Sequence, residues 1–222
     1  KVRDGNGNGA WEYFVRYAYY NGTGWELLDV KTQDRTESSW TSYSNTGRDV
    51  SIAINSTDSV FIIYFDDYAD DLRVANITGT SLTTERVATN AAGLERSAAL
   101  TIDSNDSLHV AFYDRSGADL HYAYCSLSCE IEGNWDITTD VDASTNSIGR
   151  RVDIIVDSND NPHIAHFDNK QDDLEYTYCE NSCDNQASWN KSTIEWGNNV
   201  GYMPSLVLDN DGNKHFIYYN FT

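Results

Sequence analysis

The chain has 222 residues, 35 of them acidic and 15 basic, and a formal net charge of -20. A surface this negative repels phosphate, which excludes nucleic acid and anionic membrane faces as partners. With 40% hydrophobic residues, 15 Tyr, 6 Trp and 7 Phe there is enough apolar material for a sizeable core. No apolar run approaches the roughly 18 residues of a membrane helix, so membrane insertion is not expected.

Along the chain, Gly5, Gly7 and Gly9 interleaved with Asn6 and Asn8 read as a flexible lead-in. Residues 15–20 then read as a strand, and Trp25 marks a second. Residues 51–66 form an apolar run, a polar turn and a second apolar run with aromatics, which predicts a strand hairpin rather than a helix. The same pattern returns without gaps at residues 99–114, 153–168 and 205–220, and the equivalent positions Asn55, Asp103, Asp157 and Asp209 lie 48, 54 and 52 residues apart. Residues 72–77, 120–125 and 174–179 repeat the strand of residues 15–20, and Trp135 and Trp189 mark a fourth strand as Trp25 does. Strands A, B, C and D thus recur with a period of about 50, the spacing of a four-stranded propeller blade.

The predicted fold is therefore all-β: one domain over residues 1–222, a four-bladed β-propeller with four antiparallel strands per blade. Three whole blades fall at about residues 48–97, 98–148 and 149–202. The last blade is expected to close from the two halves, residues 203–222 and 10–47, which would hide both sheet edges. The motif Leu-x-Leu-Asp-Ser-Asn-x-x-x-His-Ile-x-x-Phe/Tyr-Asp followed by Asp-Leu-x-Tyr-Ala resembles the propeller repeats of large secreted and surface proteins of bacteria and archaea. That resemblance covers nearly the whole chain and implies the fold. It brings no catalytic signature and no ligand.

The four cysteines form two Cys-x-x-x-Cys pairs, Cys125 with Cys129 and Cys179 with Cys183, at the same place in successive repeats. Where Tyr20 or Ile77 replaces the first cysteine the second is missing too, and loss in pairs indicates two local disulfides and an oxidising, extracellular or cell-surface setting. A single zinc site using all four thiolates is the rival, and it requires two blades to bring their outer loops together. Six Asn-x-Ser/Thr sequons, at Asn21, Asn55, Asn76, Asn105, Asn190 and Asn220, are candidate glycosylation sites.

Arg48, Arg96 and Arg150 recur at the start of strand A, and Asp66, Asp114 and Asp168 end strand B of the same repeats, while the fourth repeat has Tyr202 and Asn220 instead. Covariation within the chain predicts three structural ion pairs, Arg48 with Asp66, Arg96 with Asp114 and Arg150 with Asp168. Three arginines clamping a carboxylate, as in sialidase-type propellers, is the functional rival. Asp209, Asp211 and Asn213 mimic the opening of a calcium loop but lack the glutamate at the twelfth position, so turn chemistry is the default there. Calcium stays open as a cofactor, with the acidic corners Asp66-Asp67, Asp70-Asp71, Asp168 and Asp172-Asp173 as further oxygen donors; no other cofactor is expected. His109, His163 and His215 share one repeat position where the first repeat has Phe61, which predicts packing. His121 and His166 match nothing.

No Gly-x-Ser-x-Gly elbow and no distinct Ser/His/Asp set is present, so the chain is not expected to be an enzyme. The first functional reading is a noncatalytic extracellular structural or adhesive module, with the glycosylated repeating subunit of a surface filament as one form of it. Its partners would be further copies of itself or surface glycans. A carbohydrate-binding lectin is the alternative, since Trp and Tyr beside Asp and Asn suit sugar stacking and hydroxyl recognition. A glycosidase or lyase acting on polysaccharide ranks third.

Overall fold

The structure is a computed structural model that describes residues 2–3, 11–12, 14–32, 48–66, 69–89, 97–114, 117–142, 148–197 and 200–220. The fold is all-β, and a three-residue 3-10 turn, Gln186–Ser188, is the only helical element among the described residues. In chain order the strands are β1 (Val2–Arg3), β2 (Trp11–Glu12), β3 (Phe14–Tyr20), β4 (Trp25–Thr32), β5 (Arg48–Ile54), β6 (Val60–Asp66), β7 (Asp71–Thr78), β8 (Ser81–Thr89) and β9 (Ala98–Ile102). They continue as β10 (Leu108–Asp114), β11 (Asp119–Cys125), β12 (Asp136–Asp142), β13 (Ile148–Val156), β14 (Pro162–Asp168), β15 (Asp173–Cys179), β16 (Trp189–Glu195), β17 (Tyr202–Leu208) and β18 (Lys214–Tyr219).

Three four-stranded antiparallel meanders, β5–β8, β9–β12 and β13–β16, follow the repeat of the sequence. The half-units also form strands. They stand as separate two-stranded sheets, β3–β4 and β17–β18, with no ladder between them. The expected pairing of residues 205–220 with residues 11–30 is thus not made among the described residues, and each half is seated on a neighbouring sheet. Val15 and Val30 pack against Val60, Ile62, Tyr64, Ala75 and Ile77 of the first sheet, and Leu206 with Phe216 packs against Ala165 and Tyr176 of the third.

Consecutive sheets stack face to face. Phe61, Ile63, Phe65, Leu72 and Val74 meet Leu100, Leu108, Val110 and Phe112, and Ala111, Leu120, Tyr122 and Val141 meet Ile154, Ile164 and Trp189. Every residue of β6 and of β14 is buried, so these central strands are covered on both faces and their burial runs on instead of alternating. One close approach sets a glycine. Gly201 has φ +94°, and a Cβ there would stand 2.6 Å from Leu174 Cα.

The A-to-B turns are built alike by the residue that opens them. Asp103 Oδ1 accepts from the Asn105 and Ser107 N–H groups (2.9 and 2.7 Å), and Asp157 Oδ1 accepts from Asn159 and Asn161 (2.8 and 2.9 Å). Asn55 and Asp209 do the same in their own turns. The fourth turn residue has positive φ, at Asp58, Asp106, Asp160 and Gly212, which Asp, Asn and Gly tolerate best. Two of these residues bond adjacent sheets. Asp106 accepts from the Ser56 N–H at 2.7 Å and its hydroxyl at 2.5 Å, and Asp160 accepts from the Ser104 N–H at 2.9 Å and hydroxyl at 2.7 Å.

The cysteines form two local disulfides, Cys125–Cys129 and Cys179–Cys183, each with Cα atoms 5.7 Å apart. Each loop is tied to its outer strand by a buried indole: Trp135 donates to the Cys129 carbonyl at 3.1 Å and Trp189 to that of Cys183 at 3.0 Å. Replacing Cys179 and Cys183 together by Ser is expected to cost about 2 kcal/mol through the lost loop constraint. Urea unfolding followed by tryptophan fluorescence measures this.

Candidate functional site

The second and third sheets diverge at the end that carries the A-to-B turns and the disulfide loops, leaving a cleft of about 590 Å³. One wall comes from the β9–β10 turn (Asp103, Asn105) and from His109, Tyr122, Tyr124, Asp136 and Thr138 of the second sheet. The other wall is the β13–β14 turn, residues 159–162, with the disulfide loop, residues 180–184. The turn chemistry that shapes the hairpins therefore also delivers amide and carboxylate groups to the rim.

A three-ring cluster forms the base. His109 lies 3.2 Å from Asp103 through Nε2 and 2.7 Å from the Tyr122 hydroxyl through Nδ1. A carboxylate only accepts, so Nε2 carries the proton and Nδ1 accepts from Tyr122. Burial pulls the His109 pKa down and outweighs Asp103, which raises it, so the ring is neutral. Burial likewise pushes the Tyr122 hydroxyl up, so it stays protonated. Tyr124 stands edge-on to His109, with centroids 5.1 Å apart. Asp160 is held below the usual carboxylate range by the Ser104 N–H and hydroxyl, and Asn105 Nδ2 also donates to it at 3.0 Å. Asp136, Glu180 and Asp184 on the rim have carboxylates that meet no hydrogen-bond or ionic partner among the described residues.

The residues singled out in the sequence are scattered relative to this cleft. His109 is in it, as a packing residue that also lines the wall; His163 occupies the same place one sheet on, 2.5 Å from the Tyr176 hydroxyl, while His215 is exposed. Of the sequon asparagines only Asn105 lines the cleft. Asn21 Nδ2 donates to Glu26 at 2.6 Å, Asn55 holds its turn, Asn76 accepts from Thr78 at 3.1 Å, Asn220 is exposed at the end of β18, and Asn190 is exposed on β16. Asp209 spends one carboxylate oxygen on two backbone N–H groups and the other on Asn213 and His215, as a turn-forming residue does; Asp211 is exposed beside it. Among the described residues no group of three or more His, Cys, Asp or Glu is arranged to hold a metal.

At the opposite, B-to-C end, Asp66 lies 3.3 Å from Arg73, which also bonds Asp71 at 3.1 Å, and Asp114 lies 3.7 Å from His121. Asp168 accepts from the Lys170 and Gln171 N–H groups (2.7 and 3.2 Å), and Asp173 accepts from Gly197 N–H. Arg96, Asp67 and the side chain of Arg48 lie outside the described residues. Arg150 sits 5.7 Å from the centre of the Tyr113 ring, and the bulged register of β13 sets it opposite Phe167, the neighbour of Asp168. The unmatched histidines have definite surroundings: His121 lies 3.5 Å from Asp140, and fully buried His166 lies 3.4 Å from Asp142 and 3.2 Å from the Thr177 hydroxyl.

Sequence reasoning passed over Tyr122, Tyr124, Asp136 and Glu180. The signal for the tyrosines was present, since Tyr122 and Tyr124 match Tyr176 and Tyr178 and each pair faces a strand-B histidine. Asp136 and Glu180 have no repeat signal; only the stacking of two sheets brings them to one rim.

No protein-family model and no curated protein matches the chain. Among solved structures it is similar to a triple arginine-to-alanine mutant of AofleA from Arthrobotrys oligospora, with TM-score 0.58 and 12% identity over 80% of this chain and 51% of that one. It is also similar to the exo-β-1,3-galactanase from Phanerochaete chrysosporium, with TM-score 0.50 and 11% identity over 78% of this chain and 43% of that one. The chain thus spans about half the length of the structures it matches. The galactanase likeness corrects the expectation of a noncatalytic structural or adhesive module and of a chain that is not an enzyme. The fold itself is one on which a glycan-cleaving enzyme is built, so the lack of a serine-type signature had no bearing on its chemistry.

Two expectations follow from the B-to-C end. Burial, and then a hydrogen bond with Asp140, push the Asp119 carboxyl up to about 6. A folded pKa above the unfolded one favours the protonated state, so this contribution is complete below about pH 4 and is lost as the pH rises through 6. Asp119→Asn is therefore expected to be more stable than the parent above pH 6, with the gap closing below pH 4, in urea titrations across that range. An Arg150–Asp168 ion pair is expected to appear in a double-mutant cycle with alanine as a coupling of about 1 kcal/mol or more, given that Asp168 is buried and Arg150 half-buried.

Proposed function

We propose that the protein acts on carbohydrate and takes a saccharide in the cleft between the second and third sheets. The observation that carries this is the composition of one concave surface: Tyr124 and the His109–Tyr122 pair lie below a rim of Asn105, Asn159, Asn161, Asn181, Ser182 and free carboxylates. Rings offer a face to the apolar side of a sugar, while amides, hydroxyls and carboxylates meet its hydroxyl groups. The lining contains Asp103, Asp136, Asp160, Glu180 and Asp184 and no Lys or Arg, so it favours neutral sugars or amino sugars over uronates and sulfated glycans.

Cleavage of the bound chain is the second reading. It is favoured by the galactanase likeness and by the uncommitted carboxylates Asp136, Glu180 and Asp184, since glycoside hydrolysis uses a pair of carboxyl groups. We read the three complete sheets as blades of a four-bladed propeller of the bacterial and archaeal surface-repeat kind, supported by the fourfold repeat. An extracellular setting is supported by the two disulfides.

Titration calorimetry against neutral, amino and acidic oligosaccharides, β-1,3-galactotriose among them, tests the proposal. Binding by a neutral or amino sugar is expected, with affinity reduced about tenfold or more in Tyr124→Ala, the scale of a lost aromatic contact. No binding to any class, or a Tyr124→Ala variant that binds unchanged, refutes it. Chromatography of the incubated glycan decides between retention and cleavage, and cleavage should fall in Asp136→Asn or Glu180→Gln.

A further inference from the structure

The carboxylates that line the cleft fall into two sets. Asp103 and Asp160 are spent on the fold: Asp103 accepts from two backbone N–H groups and from His109, and Asp160 accepts from Ser104 and Asn105. Asp136, Glu180 and Asp184 are exposed on the rim and meet no hydrogen-bond or ionic partner among the described residues. The lining holds no Lys or Arg to balance them. Yet their positions are well anchored. Glu180 and Asp184 are chain neighbours of Cys179 and Cys183, whose bridge closes the loop, and the Cys183 carbonyl accepts from Thr138 of the facing sheet at 2.7 Å and from Trp189 at 3.0 Å. Asp136 follows Trp135, whose buried indole donates to the Cys129 carbonyl.

This combination is particular to one junction of the stack. At the same repeat positions between the first and second sheets, Thr83 stands for Asp136 and Ser126 for Glu180; only Asp184 has an acidic counterpart, Glu130. The three rings of the base are replaced there by Phe61, Val74 and Asn76. A net charge of -20 over the whole chain does not account for acid and rings meeting at one junction and not at the other.

We propose that the ligand of this cleft is an amino sugar with free amines, an oligomer of the glucosamine or galactosamine type; this rests on the cleft being a saccharide site. Its ammonium groups donate charge-assisted hydrogen bonds to Asp136, Glu180 and Asp184, while a ring face and the adjacent cation lie against Tyr124. Among the described residues no three acidic or histidine side chains are arranged around one point to hold a metal ion. Carboxylates spread along a rim suit a ligand whose positive charges are themselves spaced along a chain. N-acetylation removes the ligand's charge, so an acetylated oligomer would crowd the three carboxylates without pairing them, and a neutral sugar meets them only with hydroxyl groups. Anchoring of the rim by the disulfide and the two indoles means that little ordering is lost on binding.

The test is titration calorimetry of the full chain against tetramers of glucosamine and of galactosamine, their fully N-acetylated forms, and neutral tetramers of the same linkage. A free-amine oligomer should bind about tenfold or more tighter than its acetylated and neutral counterparts, the scale of two or three exposed ion pairs, and the margin should shrink as salt is added. Glu180→Gln combined with Asp184→Asn should narrow that margin, whereas Tyr124→Ala should weaken every oligomer. Equal or tighter binding of the acetylated or neutral tetramers, or a margin that salt does not move, overturns the amino-sugar assignment and leaves the saccharide site standing. A lysine tetrapeptide that binds as tightly as the amino oligomer also overturns it, because the cleft would then select charge without sugar. Failure of every sugar to bind removes the saccharide site itself, and the assignment with it.

Discussion

Burial on both faces is the constraint on which the rest of the structure depends. β6 and β14 have no exposed residue, so a sheet of this sequence is stable only with a neighbour on each side. The three complete sheets satisfy one another in order, and the half-sheets β3–β4 and β17–β18 cover the outer faces of the row. Among the described residues no ladder joins the two half-sheets.

Carboxylates organise what burial leaves free. A single Asx residue opens each A-to-B turn, and in two of the four turns the positive-φ Asp, Asp106 or Asp160, also clamps the sheet before it. The backbone N–H groups that these side chains accept would otherwise be unsatisfied at a tight corner. Because the turns and the disulfide loops emerge at one end of the sheets, the cleft is polar at its rim and aromatic at its base. The proposed saccharide, apolar on its ring faces and polar at its edges, would meet that gradient.

The neutral state of His109 shows how packing and chemistry share residues. Its repeat position is one where the first sheet has Phe61, and its ring is buried among Asp103, Tyr122 and Tyr124. The carboxylate alone would hold it charged, and burial prevails. The ring therefore acts as a rigid wall that fixes Tyr122 and Tyr124. His166 and His121, without repeat equivalents, are fixed among Asp142, Thr177, Asp114 and Asp140 at the far end.

Strand identity, order and period were legible in the chain alone, because alternation, turn residues and the Asp103–Asp157–Asp209 spacing are local, and local sterics decide hairpins. The paired loss of cysteines likewise foretold loops closed on themselves. The sequence alone could not show that residues 205–220 and 15–20 stand apart, since a repeat states which strands resemble one another and is silent on which copies meet. It could not assemble Asp136, Glu180 and Tyr124 into one cleft either, for these residues share no motif and are joined only by the stacking of two sheets. Local backbone preference acts within a few residues, whereas a binding surface is set by side-chain packing between segments some fifty residues apart, and that belongs to the tertiary structure.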